Sequence, residues 1–550
     1  MTNKDLANII FPDITKTIDD YKEMYPERNL PEGAKVTRFA PSPTGYMHLG
    51  GFYGAIIDYV LAKNSNGLFY LRIEDTDTKR EVKEAVDLIV ESLNHYGIVP
   101  DESEYNGVIK GNYGPYYQSE RKEIYHAFIK YLIEIGRAYP CFCTKEELDE
   151  LRKHQEERKF RTGYYGRYAK CRVLPIEKQI EKIQNGEEYV IRFKSEGNFD
   201  LKFKTDDLVK GTLELSQNDE DFVIMKSNDK LPTYHFAHVV DDYLMHTTHV
   251  VRGEEWLSSL PKHLELFRAF GFKAPKYIHT PLLIKKDGNS IRKISKRKDP
   301  EASMAYYKDK GYPTEALVEA LMTIINSNYE EWHTQNPDKK FDEFVYSPKK
   351  MSSSGAFFDL DKLDNISRNI ISKMTKDEVY KNLYKWAEEY NKDFAEIISK
   401  DVDYTKSILN IEREQKKPRK DYACYSEIES QIWYMFPELY KNHEKNFEWG
   451  KINSSEDIKE IITEYFNNFF DKNDDKETWF NKVKELSEKL GYTTDMKAYK
   501  ENPDNFKGSV ADVSTVIRVA VTTKSMTPDL YEILRILPQD ELELRVKEIM

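Results

Sequence analysis

A glycine-rich turn near the N-terminus carries residue types suited to binding a phosphate. Residues 36–51 read as a buried strand, a proline-stiffened turn and the start of a helix. Gly45 allows a backbone conformation closed to other residues, and Gly50 and Gly51 let a ligand approach the first helical turn, whose free N–H groups favour phosphate. His48 is predicted to point at that ligand. Alone, the turn also fits an ordinary strand-to-helix corner with a structural histidine.

A second group of candidate residues lies far along the chain, in a basic loop at residues 285–298. Lys293, Lys296 and Arg297 surround Ser295, and together they can grip phosphates and stabilise negative charge that moves onto a leaving pyrophosphate. Alone, this run also fits a solvated charge patch. The two segments together predict a nucleotide site at which phosphate chemistry takes place.

Size and composition limit the kinds of protein that could carry this site. A chain of 550 residues is long enough for three or four domains of roughly 150 residues. The net charge of −12 argues against a general nucleic-acid coat, and 39% hydrophobic residues exclude wholesale disorder. Four cysteines exclude a disulfide framework, and no stretch reaches the ~18 apolar residues of a membrane span. We therefore expect a cytoplasmic protein that does not associate with membranes.

The elements around the turn indicate a parallel sheet. A strand at residues 35–40, a helix over 48–64 and a strand at 67–75 form a βαβ unit, and helices are predicted at 81–97 and around 124–135. A charged segment with alternating strands follows residue 140 and reads as an insertion, after which the sheet is expected to resume near residue 220. Beyond about residue 350 the patterns are helical.

These segments resemble class I aminoacyl-tRNA synthetases. PSPTGYMHLGG is similar to their HIGH signature and KISKR to their KMSKS signature. With RFAPSPTG, LRIEDTD, LPTYHFAHVVDDYLMHTTHVVRGEEWLSSLPKH and SKRKDPEA, the match is to the bacterial glutamyl-tRNA synthetases, from about Val36 to the C-terminus. The departures are the N-terminal lead-in, His238 where the family often has Asn, and Ile294 in the signature loop.

The resemblance implies an α/β fold, with a split Rossmann-type parallel sheet, an inserted α+β acceptor-binding domain and an α-helical C-terminal anticodon-binding region. Ligands of such sheets bind at the carboxyl ends of the strands, so the catalytic groups should converge there. The expected parts are the lead-in (1–32), the first half of the catalytic domain (33–140), the inserted acceptor-stem-binding domain with a zinc site (141–220), the second half of the catalytic domain (221–285), the KMSKS loop with a stem-contact helical domain (286–375), and the anticodon-binding region (376–550).

Charging a tRNA needs no protein nucleophile. The amino-acid carboxylate attacks the α-phosphorus of ATP, and a ribose hydroxyl of the terminal adenosine then attacks the acyl-adenylate, so the protein must align the reactants and neutralise charge. The resemblance implies that His48 contacts ATP phosphate and that Lys296, helped by Lys293 and Arg297, stabilises the leaving pyrophosphate; Mg²⁺ accompanies the ATP. It also implies that glutamate activation requires tRNA. The ATP-binding residues are predicted to be Ser42, Thr44, His48, Gly50, Gly51, Ser295 and Lys296.

L-Glutamate presents two carboxylates and one ammonium, which call for two cations and one anion. Arg38 and Arg252 can pair with the carboxylates, in an order that the sequence leaves open, and Glu74 can take the ammonium. Ser42 and Tyr234 are expected to add neutral hydrogen bonds. The residues expected at the pocket border are His238, Glu255 and Trp256; for the last two, an exposed acid followed by a packing Trp is an alternative account.

Three of the four cysteines lie in one segment, and the resemblance implies that Cys141, Cys143 and Cys171 hold a structural Zn²⁺ in the insertion. Three thiolates need a fourth ligand, and Tyr168 or His154 is available for that place. Three reduced, buried cysteines without metal are the alternative.

The clearest basic cluster of the C-terminal half is predicted to contact tRNA. It consists of Lys416, Lys417, Arg419 and Lys420. Tyr422 and Tyr425 interleave with it, and such aromatics can stack unpaired anticodon bases.

The resemblance implies a monomeric enzyme that ligates glutamate to tRNA-Glu with ATP. A glutaminyl-tRNA synthetase, a non-discriminating enzyme that also charges tRNA-Gln with glutamate, and a catalytically inactive tRNA-binding paralogue are the alternatives. A shorter relative that modifies a tRNA base lacks the C-terminal half of this chain.

Overall fold

The part of the chain described by the computed structural model, residues 1–77 and 84–550, divides into two units. Unit 1 comprises residues 1–306 and 318–359, and unit 2 comprises residues 307–317 and 360–550. No helix in these described ranges combines the length and apolar character needed to cross a membrane.

Unit 1 holds all fourteen strands of the described residues. They are β1 (Val36–Phe39), β2 (Leu68–Leu71), β3 (Ser103–Tyr105), β4 (Val108–Lys110), β5 (Ala138–Cys141), β6 (Val190–Phe193), β7 (Lys202–Asp207), β8 (Gly211–Ser216), β9 (Val223–Met225), β10 (His249–Gly253), β11 (Lys276–Thr280), β12 (Leu283–Asp287), β13 (Ser290–Lys293) and β14 (Ala356–Phe357).

The helices of unit 1 surround these strands. They are α1 (Asn3–Ile10), α2 (Ile18–Met24), α3 (Leu49–Lys63), α4 (Ala85–His95), α5 (Lys122–Glu134), α6 (Lys145–Glu157), α7 (Ile176–Gln184), α8 (Tyr234–Leu244), α9 (Leu260–Ala269) and α12 (Tyr329–Gln335). Two further helices, α10 (Met304–Lys310) and α11 (Thr314–Ile325), each contribute residues to both units. The first residues of the helix predicted at 81–97 lie outside the described residues, and α4 begins at Ala85.

The central sheet of unit 1 is parallel where the site is built. β1 pairs with β2 and β10 pairs with β11, each in parallel register. The two pairs are joined because the backbone N–H of Val36 donates to Thr248 Oγ1 at 2.8 Å and the N–H of Thr248 donates to the Val36 carbonyl at 3.0 Å. Helix α3, buried along most of its length, connects β1 to β2. The predicted βαβ unit is therefore present.

The strands of the expected insertion divide between two sheets. β5, β6 and β9 form a separate antiparallel sheet. β7 and β8 form a hairpin whose β7 touches β11 at the pair Tyr277 and Asp207, which extends the central sheet. The sheet thus does not resume with β9, near residue 220, as the apolar pattern suggested; after the β7–β8 hairpin, its next strand is β10. Burial on both sides made β9 look like a parallel-sheet strand.

The N-terminal lead-in contains helices α1 and α2 and packs onto the rest of unit 1. Leu6, Phe11, Tyr21 and Tyr25 lie in one hydrophobic core with residues of α5, α8 and α9. Arg28 forms two hydrogen bonds of 2.9 Å to the carboxylate of Glu102. The lead-in is therefore part of the folded core of unit 1.

The described residues of unit 2 form helices joined by turns and loops, with no named strand, as predicted for the C-terminal region. Its helices are α13 (Leu360–Lys373), α14 (Lys376–Tyr390), α15 (Lys392–Lys400), α16 (Val402–Leu409), α17 (Ile428–Ile432), α18 (Pro437–Asn442), α19 (Ser455–Glu464), α20 (Lys476–Lys489), α21 (Met496–Glu501), α22 (Val510–Thr522), α23 (Leu530–Ile536) and α24 (Gln539–Ile549). One hydrophobic core runs through most of them, with Leu383, Val483 and Val516 fully buried.

Candidate active site

The N-terminus of α3 is shaped by His48. This residue caps the helix, because its Nδ1 accepts a hydrogen bond of 2.9 Å from the backbone N–H of Gly50. A Cβ atom at Gly50 would lie 3.2 Å from that Nδ1, which is a tight contact. Glycine at this position therefore leaves room for the imidazole to cap the helix. Gly45, with φ +125°, adopts the conformation that was expected to need glycine. With Nδ1 committed to the cap, Nε2 is left to face a ligand.

In the basic loop, the backbone around residues 294–295 is held by hydrogen bonds, while several cationic side chains form no ion pair. Ile294 is buried and its N–H donates to the Leu283 carbonyl at 3.0 Å. The carboxylate of Asp299 accepts the N–H of Ser295 at 2.8 Å and two hydrogen bonds of 2.7 Å from Arg292, which lower its pKa. The exposed cations of this loop that form no ion pair with any described residue are Lys286, Lys293, Lys296, Arg297 and Lys298.

The turn and the basic loop meet at one cavity. Residues on both sides are linked through the backbone, since Met304 N–H donates to the Met47 carbonyl at 3.1 Å. Burial, followed by the charges of Lys296 and Lys293, lowers the pKa of His48 from 6.5 to about 4. His48 is therefore neutral at pH 7, and its Nε2 can donate a hydrogen bond to a phosphate oxygen without carrying charge.

The cavity has a volume of about 1130 Å³ and lies at the carboxyl ends of β1 and β10. It is large enough for a nucleotide with an amino acid beside it. Among the predicted site residues, those that line it are Arg38, Ser42, Thr44, His48, Gly50, Gly51, Glu74, Tyr234, Arg252, Glu255, Trp256 and Lys293. Ser295, Lys296 and Arg297 lie in the loop beside it but are not among the lining residues.

Arg38 and Glu74 belong to a buried ion network that the sequence reading missed. Arg38 Nε lies 3.2 Å from Asp242, and Arg72 binds both Asp242, at 2.7 Å, and Glu74, at 3.1 Å. Burial raises the pKa of Glu74, while Arg72 opposes that rise. Asp242 and its neighbour Asp241 sit on α8 among apolar residues, and this pair of acids within HFAHVVDDYLM is the signal from which a buried network could have been inferred.

Arg252, on β10, has a different environment. Its side chain is 8% exposed and lines the cavity. Its Nε donates to His279 Nε2 at 3.0 Å and its Nη1 to His263 Nδ1 at 2.9 Å, while Nη2 has no partner among the described residues. No carboxylate of the described residues therefore forms an ion pair with this guanidinium beside the cavity. Nothing in the sequence singled out His263 or His279.

His238, expected at the pocket border, lies behind the pocket wall. Its side chain is fully buried, it is not a lining residue, and its ring stacks on that of Tyr234 with 5.8 Å between centroids. Its Nδ1 lies 2.7 Å from Asp242 Oδ2 and its Nε2 3.2 Å from Tyr277 Oη. The expectation was wrong because His238 lies one turn after Tyr234 on the same face of α8, where its ring packs behind the Tyr234 ring that lines the cavity. Glu255 and Trp256 do border the cavity.

The three predicted cysteines come together in the insertion, but with a different tyrosine. The Sγ atoms of Cys141, Cys143 and Cys171 lie within 4.8 Å of one another. The Cys143–Cys171 separation of 3.7 Å is close to the edge, about 3.8 Å, of a tetrahedron with Zn–S bonds of ~2.3 Å. The geometry of the donor set therefore fits a zinc ion.

Tyr164, rather than the predicted Tyr168, places its hydroxyl against the thiols. Its Oη lies 3.2 Å from Cys143 Sγ and 3.5 Å from Cys141 Sγ. Tyr168 Oη instead accepts a hydrogen bond from Arg167. The short 3-10 turns before Cys171 set which tyrosine faces the thiols, and residue spacing alone did not reveal them.

The basic cluster in unit 2 is only partly available to a ligand. Lys416, Lys417 and Lys420 are exposed and form no ion pair with any residue of the described part of the chain. Arg419 is bound to Asp421 and Glu412. The tyrosines that were expected to stack bases, Tyr422 and Tyr425, are buried in the core of unit 2, so that expectation was wrong. Their apolar rings contribute more when packed among helices than when exposed.

Comparison with protein families agrees with this geometry. A family model described as "tRNA synthetases class I (E and Q), catalytic domain" matches residues 35–365. This range contains the turn, the basic loop and every residue that lines the cavity.

Curated relatives and solved structures extend the match to the whole chain. The chain is 47% identical over 552 residues to a glutamate–tRNA ligase of Clostridium perfringens (strain SM101 / Type A), covering 100% of each. It is also 47% identical over 551 residues to a glutamate–tRNA ligase of Acetivibrio thermocellus, again with 100% of each covered.

Among solved structures, it resembles the glutamate tRNA ligase of Elizabethkingia meningosepticum CCUG26117 in complex with its amino acid, with a TM-score of 0.72 and 27% identity over 94% of this chain and 99% of that one. This chain therefore belongs to the class I tRNA synthetases of the E and Q group, in the family of glutamate–tRNA ligases.

Proposed function

We propose that this chain activates L-glutamate with ATP and transfers it to the terminal adenosine of tRNA-Glu. The observation that carries the choice of amino acid is Arg252, a buried guanidinium beside the cavity without a carboxylate partner among the described residues. An isolated buried cation is costly, and a substrate carboxylate relieves that cost. Glutamine, with a neutral amide, would leave the charge uncompensated, which is the basis of strong rejection.

The remaining cavity groups fit the other parts of the substrates. Arg38, within hydrogen-bonding distance of Asp242, is left to orient the second carboxylate, and Glu74 is the acid that takes the ammonium. Tyr234 packs against Trp256 with 4.3 Å between ring centroids, which fixes the hydroxyl that contributes a neutral hydrogen bond. Ser42 and Thr44, in the turn, are placed to bind ATP.

The chemistry of the first step is charge stabilisation. His48 binds a phosphate oxygen through Nε2, and Lys296, with Lys293 and Arg297, neutralises the charge that develops on pyrophosphate. Ser295 presents this segment from a turn closed by Asp299. Mg²⁺ would enter with the ATP phosphates and neutralise part of their charge. Among the described residues, no cluster of three acids could bind Mg²⁺ without the nucleotide, which is consistent with Mg²⁺ binding together with ATP.

The insertion and the helical unit are proposed to bind the tRNA. We assign the acceptor stem to residues 141–220, stabilised by a structural Zn²⁺ on the three cysteines and Tyr164. The anticodon is assigned to residues 376–550, where Lys416, Lys417 and Lys420 offer uncompensated charge. We further propose that the protein acts as a monomer and that its place of action is the cytoplasm.

Aminoacylation with purified tRNA-Glu and tRNA-Gln, each with glutamate and with glutamine, tests this proposal. We expect glutamate on tRNA-Glu and no glutamine on either tRNA. Glutamate on both tRNAs would identify a non-discriminating enzyme, and glutamine on tRNA-Gln would contradict the proposal. The absence of any charging would identify an inactive tRNA-binding paralogue.

A further inference from the structure

Arg252 is held differently from Arg38, Arg72 and Arg121, three other buried arginines of unit 1. Arg38 and Arg72 each contact Asp242, and Arg121 contacts Asp241, all through ion pairs of 2.7–3.2 Å. Arg252 contacts two imidazoles instead and forms no ion pair with any described residue. The positive charge of three arginines is thus cancelled within the fold, and that of the fourth is not.

The hydrogen bonds to Arg252 fix the tautomer of His279. A guanidinium only donates, so His279 Nε2 must accept, and in the neutral ring the proton then lies on Nδ1. This Nδ1 lies 2.7 Å from Asp207 Oδ2, and the same oxygen accepts the backbone N–H of His279 at 3.0 Å. Asp207 is in turn held by the N–H groups of Val209 and Lys210. The carboxylate therefore orients the imidazole that orients Arg252.

The second imidazole follows the same logic. His263 Nδ1 accepts from Arg252, so the proton of the neutral ring lies on Nε2, which is 2.9 Å from His235 Nδ1. Burial, and then the cationic forms of neighbouring groups, holds the pKa of His263 well below its usual range. Burial likewise lowers the pKa of His279, although Asp207 opposes that shift. Both rings accept hydrogen bonds from Arg252 without neutralising it.

We infer that His279 and His263, with Asp207 behind His279, are positioning residues that aim Arg252 at the side-chain carboxylate of the amino acid while leaving its charge for that carboxylate alone. This inference rests on the proposed function. A carboxylate in place of either imidazole would orient the guanidinium equally well but would cancel its charge. Selection of an acid over an amide then depends on two neutral acceptors that do not touch the substrate.

Paired substitutions separate positioning from mere packing. His279→Gln keeps an acceptor near the position of Nε2, and His279→Leu removes it; His263→Asn and His263→Leu do the same for Nδ1. His249 is the matched control. Like His279 and His263 it is a buried histidine, and it lies on the same strand as Arg252, but it bonds to Thr248 and not to Arg252. The readouts are kcat and KM for glutamate in ATP–pyrophosphate exchange with tRNA present, and the preference for glutamate over glutamine.

We expect His279→Leu and His263→Leu to raise the KM for glutamate about tenfold or more, since each removes one hydrogen bond to a charged group. The KM for ATP should stay unchanged, and His279→Gln and His263→Asn should restore most of the glutamate affinity. His249→Leu should leave both KM values unchanged. A KM for glutamate that is unchanged in the folded His279→Leu variant, or equal losses in the Leu and Gln variants, would overturn the inference.

A charge variant tests the same idea without relying on loss of packing. His279→Glu keeps an acceptor beside Arg252 but brings a negative charge, so it should weaken glutamate binding more than His279→Gln and narrow the preference over glutamine. An unchanged preference would overturn the inference. Wild-type enzyme assayed in parallel separates the two proposals: failure of the wild type to activate glutamate overturns the proposed function and the inference together, whereas an active wild type with unaffected variants overturns the inference alone.

Discussion

His48 and Lys293 border the same cavity, although one caps the helix after the first strand and the other ends a hairpin far along the chain. The charges of Lys293 and Lys296 contribute to the lowered pKa of His48. The glycine-rich turn and the basic loop therefore meet at one cavity, and the neutral imidazole of His48 adds no repulsion to the two lysines.

Lys296 is expected to act on the transition state rather than on substrate binding. Lys296→Ala should lower the rate of glutamyl-adenylate formation by about 10²- to 10³-fold, as loss of a transition-state charge partner does, with little change in the KM for glutamate. Single-turnover adenylate formation measures this. Lys298→Ala, an exposed and unpaired lysine in the same loop, serves as the control and should behave as wild type. A wild-type rate for Lys296→Ala would remove that lysine from the mechanism.

Asp299 is expected to set the geometry of the basic loop. Asp299→Ala removes the acceptor of the Ser295 N–H and two hydrogen bonds from Arg292, so kcat for glutamate activation should fall about tenfold to a hundredfold through misplaced cations. The KM for glutamate should hold, because Arg252 and Arg38 are untouched. Asp287→Ala, which removes the other carboxylate of Arg292, is the matched control. A loss confined to KM in Asp299→Ala would contradict this role.

Much of this site follows from the sequence because its binding chemistry is local. The glycine-rich turn requires a positive φ at Gly45 and a small residue at Gly50, and both requirements are visible in one short segment. The resemblance placed Arg38, Glu74 and Arg252 at one cavity. Arg72, Asp207, His263 and His279 could not be predicted, since their roles depend on contacts between elements distant in sequence.

The misplaced expectations have the same origin. Tyr168 and Tyr164 are both within reach of the cysteines by spacing, and only the turns before Cys171 decide between them. Tyr422 and Tyr425 stand beside a basic run in the sequence, but helix packing takes both rings into the core of unit 2. A run of charged residues in the sequence indicates that those residues are exposed, but it does not indicate whether the residues next to the run are exposed.

Tyr164 is expected to complete the zinc site. Wild-type protein purified without chelator should contain about one zinc ion per chain, and Cys143→Ser should lose it. Tyr164→Phe should weaken retention against a competing chelator, whereas the control Tyr168→Phe should not, since that hydroxyl accepts from Arg167. Elemental analysis after graded chelator treatment measures this. Equal retention in the two tyrosine variants would exclude Tyr164 as a ligand.

Buried histidines are expected to make unit 1 sensitive to acid. Burial, with Lys35 and Lys276 nearby, lowers the pKa of His249 from 6.5 to about 4, and burial lowers that of His235 to about 4 as well. Between about pH 6.5 and pH 4, these histidines are protonated in the unfolded chain but remain neutral in the folded chain. The free energy of unfolding should therefore decrease as the pH is lowered through this range, by at most about 1.4 kcal/mol per pH unit for each histidine.

Calorimetry across this window measures the effect as a falling Tm. His249→Gln removes one of the titrating groups and should make the Tm less dependent on pH. A Tm that stays constant or rises on acidification would show that the histidines do not control the stability of this unit.

The most direct test of the account is a crystal structure of the protein with a non-hydrolysable glutamyl-adenylate analogue. We predict that the analogue occupies the cavity, with its phosphate group within hydrogen-bonding distance of His48 Nε2 and its side-chain carboxylate bound by Arg252 Nη2. An analogue bound elsewhere, or a side-chain carboxylate that leaves Arg252 uncontacted, would contradict the account.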